Sequence, residues 1–450
     1  MTTTSSLLLA RRFLFGADRT GRLSRRIRGG IVGVGLSLVP LVVVLQVADG
    51  MIAGITDRFI EAGSYHLQAV ARDDPEADAL SASAASLARL PGVTLAAPER
   101  QGLALAAVGE RRTAVTVRAV DPQLWKHDHG LREYLEFVAG EWRLDSRGIL
   151  LGEYVARELG AAVGDEVRVL TARSLSGGRV LPRTRTFEVR GIVTSGYADL
   201  DRLWVFVPYE EGARMLPGET SRMVIGVKIR EPLALPNPLF RPPGADEAER
   251  AREIVSRVQG ELGTDYRVAT WFESERAKYM SFKTTKDLLV FIMVLIVIVA
   301  AVNISSTLVM LVLEKQEEIA VIKSYGGSPG GITSAFIAAG FALGVLGTAA
   351  GISIGLLLAV NINELLVAIE WVINAGLWVA DLAASLVTDG GLAPIELLSG
   401  EYYLQEIPIM IRFADVALVA CLTILLATAA AWFPARRAGA IRPLEVLRRH

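Results

Sequence analysis

Four stretches of this 450-residue chain contain no Asp, Glu, Lys or Arg: Gly29 to Ala48, Leu288 to Leu313, Ser324 to Asn363 and Val416 to Ala435. At about 1.5 Å per residue each is long enough to cross a hydrocarbon core of roughly 30 Å. None carries the polar stripe that a helix of a water-soluble protein shows to solvent. A mean hydropathy of +0.39 fits that reading. Lys and Arg total 47 against 48 Asp and Glu, so there is no basic excess to point to nucleic acid. The single cysteine, Cys421, excludes an internal disulfide and a Cys-rich metal cage.

Charge on the flanks sets the expected orientation. Residues 1 to 30 carry seven Arg and one acid, Asp18, and the tail carries Arg436, Arg437, Arg442, Arg448 and Arg449 against Glu445. Both termini are therefore expected in the cytoplasm, and an even number of spans agrees. Arg11-Arg12-Phe13-Leu14 hints at a twin-arginine signal, but the apolar run exceeds a signal core and a second basic cluster, Arg22, Arg25, Arg26 and Arg28, precedes it. The run is read as a retained span. The expected organisation is a cytoplasmic segment at 1–28, spans at 29–48, 288–313, 332–360 and 416–435, an extracytoplasmic domain at 49–287, a cytoplasmic loop at 314–331, an extracytoplasmic loop at 361–415 and a cytoplasmic tail at 436–450.

Within 49–287, β-rich alternating runs predict strands at Tyr65 to Val70, Leu103 to Val108, Thr113 to Val120, Asp165 to Thr171, Thr184 to Thr194, Leu203 to Val207 and Met223 to Arg230. Helices are expected after Gly152, Pro208 and Gly244, giving an α+β domain, with a two-lobed arrangement as a variant. Pro232 to Pro243 reads as a connector. Between Asn363 and Thr388 the polar residues Asn363, Glu370, Asn374, Asp381, Ser385 and Thr388 share one helical face; with Trp371 and Trp378 this suits a helix on the membrane surface, the alternative being a core helix of the outer domain.

Chemistry is sparse. No Gly-x-x-x-x-Gly-Lys-Ser/Thr loop is present to cradle ATP, and no Gly-x-Ser-x-Gly elbow for acyl transfer. His127 and His129 read as solvated loop residues, not metal ligands. No ionisable residue lies within the spans to couple transport to an ion. The polar residues there, Gln46, Asn303, Ser305, Ser306, Thr307, Thr423 and Thr428, are expected mostly to hydrogen-bond between helices. The chain is not expected to be an enzyme or to bind a cofactor or metal, and energy must come from another protein.

The stretch Glu317-Glu318-Ile319-Ala320-Val321-Ile322-Lys323-Ser324-Tyr325-Gly326-Gly327-Ser328, after Asn303 to Met310, resembles the FtsX-like permeases of ABC transporters. The C-terminal third is most similar to the lipoprotein-releasing permeases of the LolC and LolE type, through Tyr402-Tyr403-Leu404-Gln405-Glu406-Ile407-Pro408, Ala431-Trp432-Phe433-Pro434-Ala435-Arg436-Arg437-Ala438 and Ile441 to Leu447. Asp49-Gly50-Met51 and Leu159-Gly160 through Asp165 agree more loosely.

The fold class this implies is an α-helical membrane protein with four transmembrane helices and a large α+β extracytoplasmic domain of the MacB-like periplasmic kind. The implied function is extraction of lipoproteins from the inner membrane, for outer-membrane targeting. The implied partners are a LolD-like cytoplasmic ATPase holding ATP and Mg, a second copy or a related permease, a periplasmic carrier, lipoprotein cargo and membrane lipids.

The resemblance also implies site residues. Glu317, Glu318, Ile319, Ala320, Lys323, Gly326, Gly327 and Ser328 would form the coupling helix and its turn. Leu181, Pro182 and Arg183, in the arm Ala172 to Arg183, would be a carrier hook or part of an ordinary hairpin. Gly33, Gly35, Leu38, Val42 and Leu45 would line a lipid cavity. A MacB-like efflux or mechanotransmission permease and an FtsX-like regulator of cell-wall hydrolases are the alternatives.

Overall fold

A computed structural model describes residues 22–73, 75, 77–175, 179–216, 218, 221–235, 237, 239, 244–384, 395 and 407–443. Arg11, Arg12, Tyr402 to Glu406, Ser385, Thr388 and Leu444 to Leu447 lie outside them. The chain forms two compact units, one of Met1–Met51, Thr284–Ala393 and Ile407–His450, the other of Ile52–Lys283 and Pro394–Glu406.

Among the described residues, four helices are long and apolar enough to cross a membrane. They start from Arg22–Arg58, Arg276–Glu314, Pro329–Val360 and Phe413–Ala430 and are called here the first to fourth long helices. The first two run well beyond their charge-free stretches, because backbone hydrogen bonding continues after the apolar residues end. The third carries a buried stripe of Gly340, Gly344, Gly347, Gly351 and Gly355. A Cβ at Gly347 would stand 2.7 Å from Val34 Cβ, one at Gly355 2.8 Å from Val42 Cβ, and one at Gly344 2.8 Å from Ala427 Cβ. The missing side chains thus let the first and fourth helices lie directly on the backbone of the third.

The hydroxyls do not bridge helices as expected. Ser306 donates to Val302 O, Thr307 to Asn303 O, Thr423 to Val419 O and Thr428 to Ile424 O, each a carbonyl four residues back in its own helix. A carbonyl on the preceding turn is always within reach, so it wins over a distant partner. Gln46 does bridge, accepting from the Arg412 backbone N–H at 3.2 Å.

The stretch from Asn363 onward lies in the helix Ile362–Ala384. Asn363, Glu370 and Asn374 lie on its half-buried side, while Trp371 and Trp378 are 73% and 66% exposed. Asn363 is held at both ends of its amide: its Nδ2 donates to Ile407 O, and Ile407 N donates to its Oδ1, each at 3.2 Å.

The second unit is built on strands β1 (Leu67–Ala71), β2 (Val93–Val108), β3 (Arg111–Val120), β4 (Glu136–Gly140), β5 (Gly148–Gly152), β6 (Glu166–Leu175), β7 (Arg179–Thr194), β8 (Trp204–Pro208), β9 (Ser221–Ile229) and β10 (Tyr266–Thr270). They form one sheet in the order β10-β1-β9-β2-β3-β8-β5-β7-β4, with β6 paired to β2 and β7. Its core packs Val115, Val117, Ile149, Leu151, Val189 and Val205 under the helix Glu153–Leu159. That helix ends where Gly160 adopts φ 64°, a left-handed cap that explains the Leu159-Gly160 step.

A fully buried ion pair fixes the middle of the sheet. Arg118 donates to Glu99 through Nε at 2.6 Å and Nη2 at 2.8 Å, and its guanidinium carbon stands 4.6 Å from the Trp204 ring centre. The Tyr65 hydroxyl also donates to Glu99, at 2.7 Å. Burial pushes the Glu99 carboxyl up, but the Arg118 charge and the hydrogen bonds from Arg118, Tyr65 and Gln101 outweigh it and hold it below its ordinary value.

Candidate coupling and transport surfaces

After the second long helix, the chain makes one short helix, Gln316–Ser324, before the third begins. Ile319 and Ala320 are buried, anchoring it, while Glu317, Glu318, Val321 and Tyr325 point out; Tyr325 is 90% exposed. Lys315 pairs with Glu318 one turn on. The helix stops at Gly326, whose φ of 92° only glycine adopts without strain, and Gly326 N donates to Lys323 O. Ser328 then caps the third helix, its hydroxyl accepting from Gly331 N at 3.2 Å, with Pro329 in the first turn. Lys323 Nζ donates to Gly439 O at 2.8 Å and Ile441 O at 2.7 Å, pinning the short helix to the segment after the fourth helix. The short helix is thus anchored on one side, exposed on the other and bounded by a glycine turn.

At the other end of this unit, Lys286 of the second helix donates to Asp49 of the first at 2.5 Å. Lys286 also lies 3.9 Å from Asp415, which Arg412 approaches to 3.6 Å. At Gly50 a Cβ would sit 1.8 Å from the Pro408 carbonyl, so only glycine permits the contact. Three helices are thus joined by one cluster of charges, and Asp49-Gly50 and Ile407-Pro408, legible as motifs, are its walls.

Two family models cover most of this architecture. The FtsX-like permease C-terminal model matches residues 290–443, and the MacB-like periplasmic core domain model matches residues 31–236. Residues 290–443 thus match the FtsX-like permeases. The chain is 27% identical over 445 residues to the lipoprotein-releasing system transmembrane protein LolC of Xylella fastidiosa strain Temecula1, covering 98% of both chains. It is 28% identical to LolC of Neisseria meningitidis serogroup B over 97% of both chains, and 23% identical to LolE of Haemophilus influenzae over 93% of both.

In the sheet unit, the arm expected between two strands is itself ladder: Ala172 pairs with Pro182, Arg173 with Leu181, Ser174 with Val180 and Leu175 with Arg179. β6 touches β2 only over Arg168 to Leu170, so from Thr171 outward the arm is a two-stranded ribbon. Leu181, Pro182 and Arg183 are exposed. Arg183 is tethered, donating to Arg214 O at 2.8 Å, and Arg185 is paired with Glu211 at 2.8 Å.

The five residues expected along a lipid cavity separate into two sets. Leu38, Val42 and Leu45 are buried within the helical unit; Gly35 lies 3.5 Å from the Gly347 carbonyl by its Cβ position, and Gly33 has open space there. Large apolar side chains that the first helix leaves open include Val32, Leu36 and Val44, and those of the second include Leu288, Phe291, Leu295, Val299 and Val302. Sequence reasoning missed these residues, as it missed Lys286. A spacing of three to four among equally apolar residues was their only signal.

Proposed function

We propose that this permease is the membrane subunit of an ABC transporter that takes lipoproteins out of the inner membrane and hands them to a periplasmic carrier. The observation that carries this reading is the correspondence with LolC over 98% of both chains, from the first long helix through the terminal arginine-rich segment. The mechanical need is large. Each buried CH₂ of an acyl chain holds the anchor with about 0.8 kcal/mol, so extracting a triacylated anchor takes on the order of tens of kcal/mol or an apolar shelter.

In this reading the termini and residues 314–331 face the cytoplasm, and residues 49–287 face the periplasm. The open faces Val32-Leu36-Val44 and Leu288-Phe291-Leu295-Val299 supply apolar wall for acyl chains, in place of the buried Leu38, Val42 and Leu45. Glu317 through Ser328 meets the ATPase, which holds the ATP and Mg. Tyr325, whose side chain is almost wholly exposed, enters its groove. The ribbon tip with Leu181 and Pro182 meets the carrier, and a second copy or a related permease completes the membrane pair.

Co-purification with a cytoplasmic ABC ATPase, followed by mass spectrometry of what is retained, tests the assignment. Acylated lipoproteins released on addition of ATP and carrier are the expected result. A complex that hydrolyses ATP yet retains and releases no lipoprotein would exclude it.

A further inference from the structure

The fourth long helix does not end in a loop. One residue after Ala430, Ala431 keeps helical angles, φ −70° and ψ −17°, and the helix Trp432–Ala440 follows. Its two sides are chemically distinct. Pro434, Ala435, Ala438 and Gly439 are buried, whereas Trp432 and Phe433 are 55% and 57% exposed beside exposed Arg436 and Arg437.

The exposed side continues a stripe from the preceding helix. Leu418, Cys421, Leu425 and Trp432 fall at spacings of three, four and seven, which places them along one line, and all four are exposed. Arg436 lies one turn further on. The stripe therefore runs from aliphatic to aromatic to cationic, the polarity gradient met on leaving a hydrocarbon layer for its headgroups.

The arginines are arranged for an anion. The Arg436 guanidinium carbon stands 5.5 Å from the Trp432 ring centre and that of Arg437 4.3 Å from the Phe433 ring centre. Among the described residues neither pairs with a carboxylate, so each planar fork keeps its N–H edge for an outside acceptor. The opposite side of the helix is immobilised by Lys323, and Gly439 packs so near the Pro329 carbonyl that a Cβ would stand 2.9 Å from it. The cationic face is held in place where the apolar stripe stops.

We propose that Trp432, Phe433, Arg436 and Arg437 form a binding site for an anionic phospholipid, with its phosphate on the two guanidinium groups and its acyl chains along Leu418 to Leu425. The aromatic rings occupy the level between chain and headgroup. Of the surfaces that could cover this face, a bilayer leaflet with acidic headgroups matches both its charge and its continuity with the apolar stripe.

The test uses the full-length protein in detergent, titrated with phosphatidylglycerol or phosphatidylcholine, with bound lipid counted by native mass spectrometry. Phosphatidylglycerol is expected to bind in preference to phosphatidylcholine. In an R436A/R437A double variant its affinity should fall about thirtyfold, with phosphatidylcholine binding and thermal unfolding unchanged. An R112A/R132A double variant, which removes two exposed arginines of the sheet unit, should bind phosphatidylglycerol as the parent does. Equal binding of the two lipids by the parent, undiminished phosphatidylglycerol binding by R436A/R437A, or an equal loss in R112A/R132A would each overturn the site. Loss of a co-purifying ATPase in R436A/R437A with lipid binding intact would assign the face to a protein partner and overturn it equally.

Discussion

Lys286 Nζ lies 2.5 Å from Asp49 Oδ1, joining the second long helix to the first through a carboxylate that is almost fully buried. A carboxylate removed from water tolerates the loss of its cation poorly, because the remaining charge has no solvent to replace it. K286M should therefore destabilise the protein by about 3 kcal/mol. D49N/K286M should recover most of that loss. Thermal unfolding in detergent of the parent, both single variants and the double variant measures the coupling, and additive losses would show that the pair is not an energetic unit.

The buried Glu99 and Arg118 give a pH signature. Glu99 titrates below its ordinary value of 4.5 in the folded protein, so its stabilising contribution is present above that value. It is lost as pH falls through the lowered folded value. Unfolding temperature measured from pH 7 down to pH 3 should fall for the parent at the acid end. E99Q, which leaves the Arg118 charge buried and unpaired, should be less stable by about 3 to 5 kcal/mol at pH 7 and show a flatter acid limb.

For the segment proposed to meet the ATPase, G326V forces a β-branched residue to a φ of 92°, costing about 1 to 2 kcal/mol of local strain. E318K removes the pairing with Lys315 and reverses an exposed charge. Each variant should fold and reach the membrane, while ATP hydrolysis by the complex no longer drives release. Parallel assays of ATPase activity and lipoprotein release check this, and unchanged release in both would remove the segment from the contact.

Deleting Ser174 to Leu181 and joining the ends shortens a ribbon whose base stays paired through Arg168 to Leu170. Assembly with the ATPase should persist, and cargo should enter the complex but not pass to the soluble carrier. A photo-crosslinker at position 182 should capture the carrier in the parent. If transfer continues after the deletion, the ribbon is an ordinary hairpin.

Much of this was legible where physical signals are local. The four charge-free runs, the Leu159-Gly160 helix stop and the turn at Gly326-Gly327 depend on residues adjacent in sequence. β4, β5 and β10 escaped notice for separate reasons. β5 is short and buried on both faces, so it has no alternation, and β10 is completed by β1, nearly the whole domain away in sequence. Lys286 joins Asp49 across 237 positions, which no periodicity encodes. On the first helix, Leu38 and Leu36 are equally apolar, and only packing against the third helix decides that one faces in and the other out.

The glycine stripe of the third helix has a mechanical meaning. Each glycine leaves room for one side chain of a neighbouring helix, Val34 against Gly347, Val42 against Gly355 and Ala427 against Gly344, so the spacing is set by the partner's side chain alone. Adding a methyl group at any of these three glycines would push that neighbour outward, since the new Cβ would stand within 2.8 Å of it.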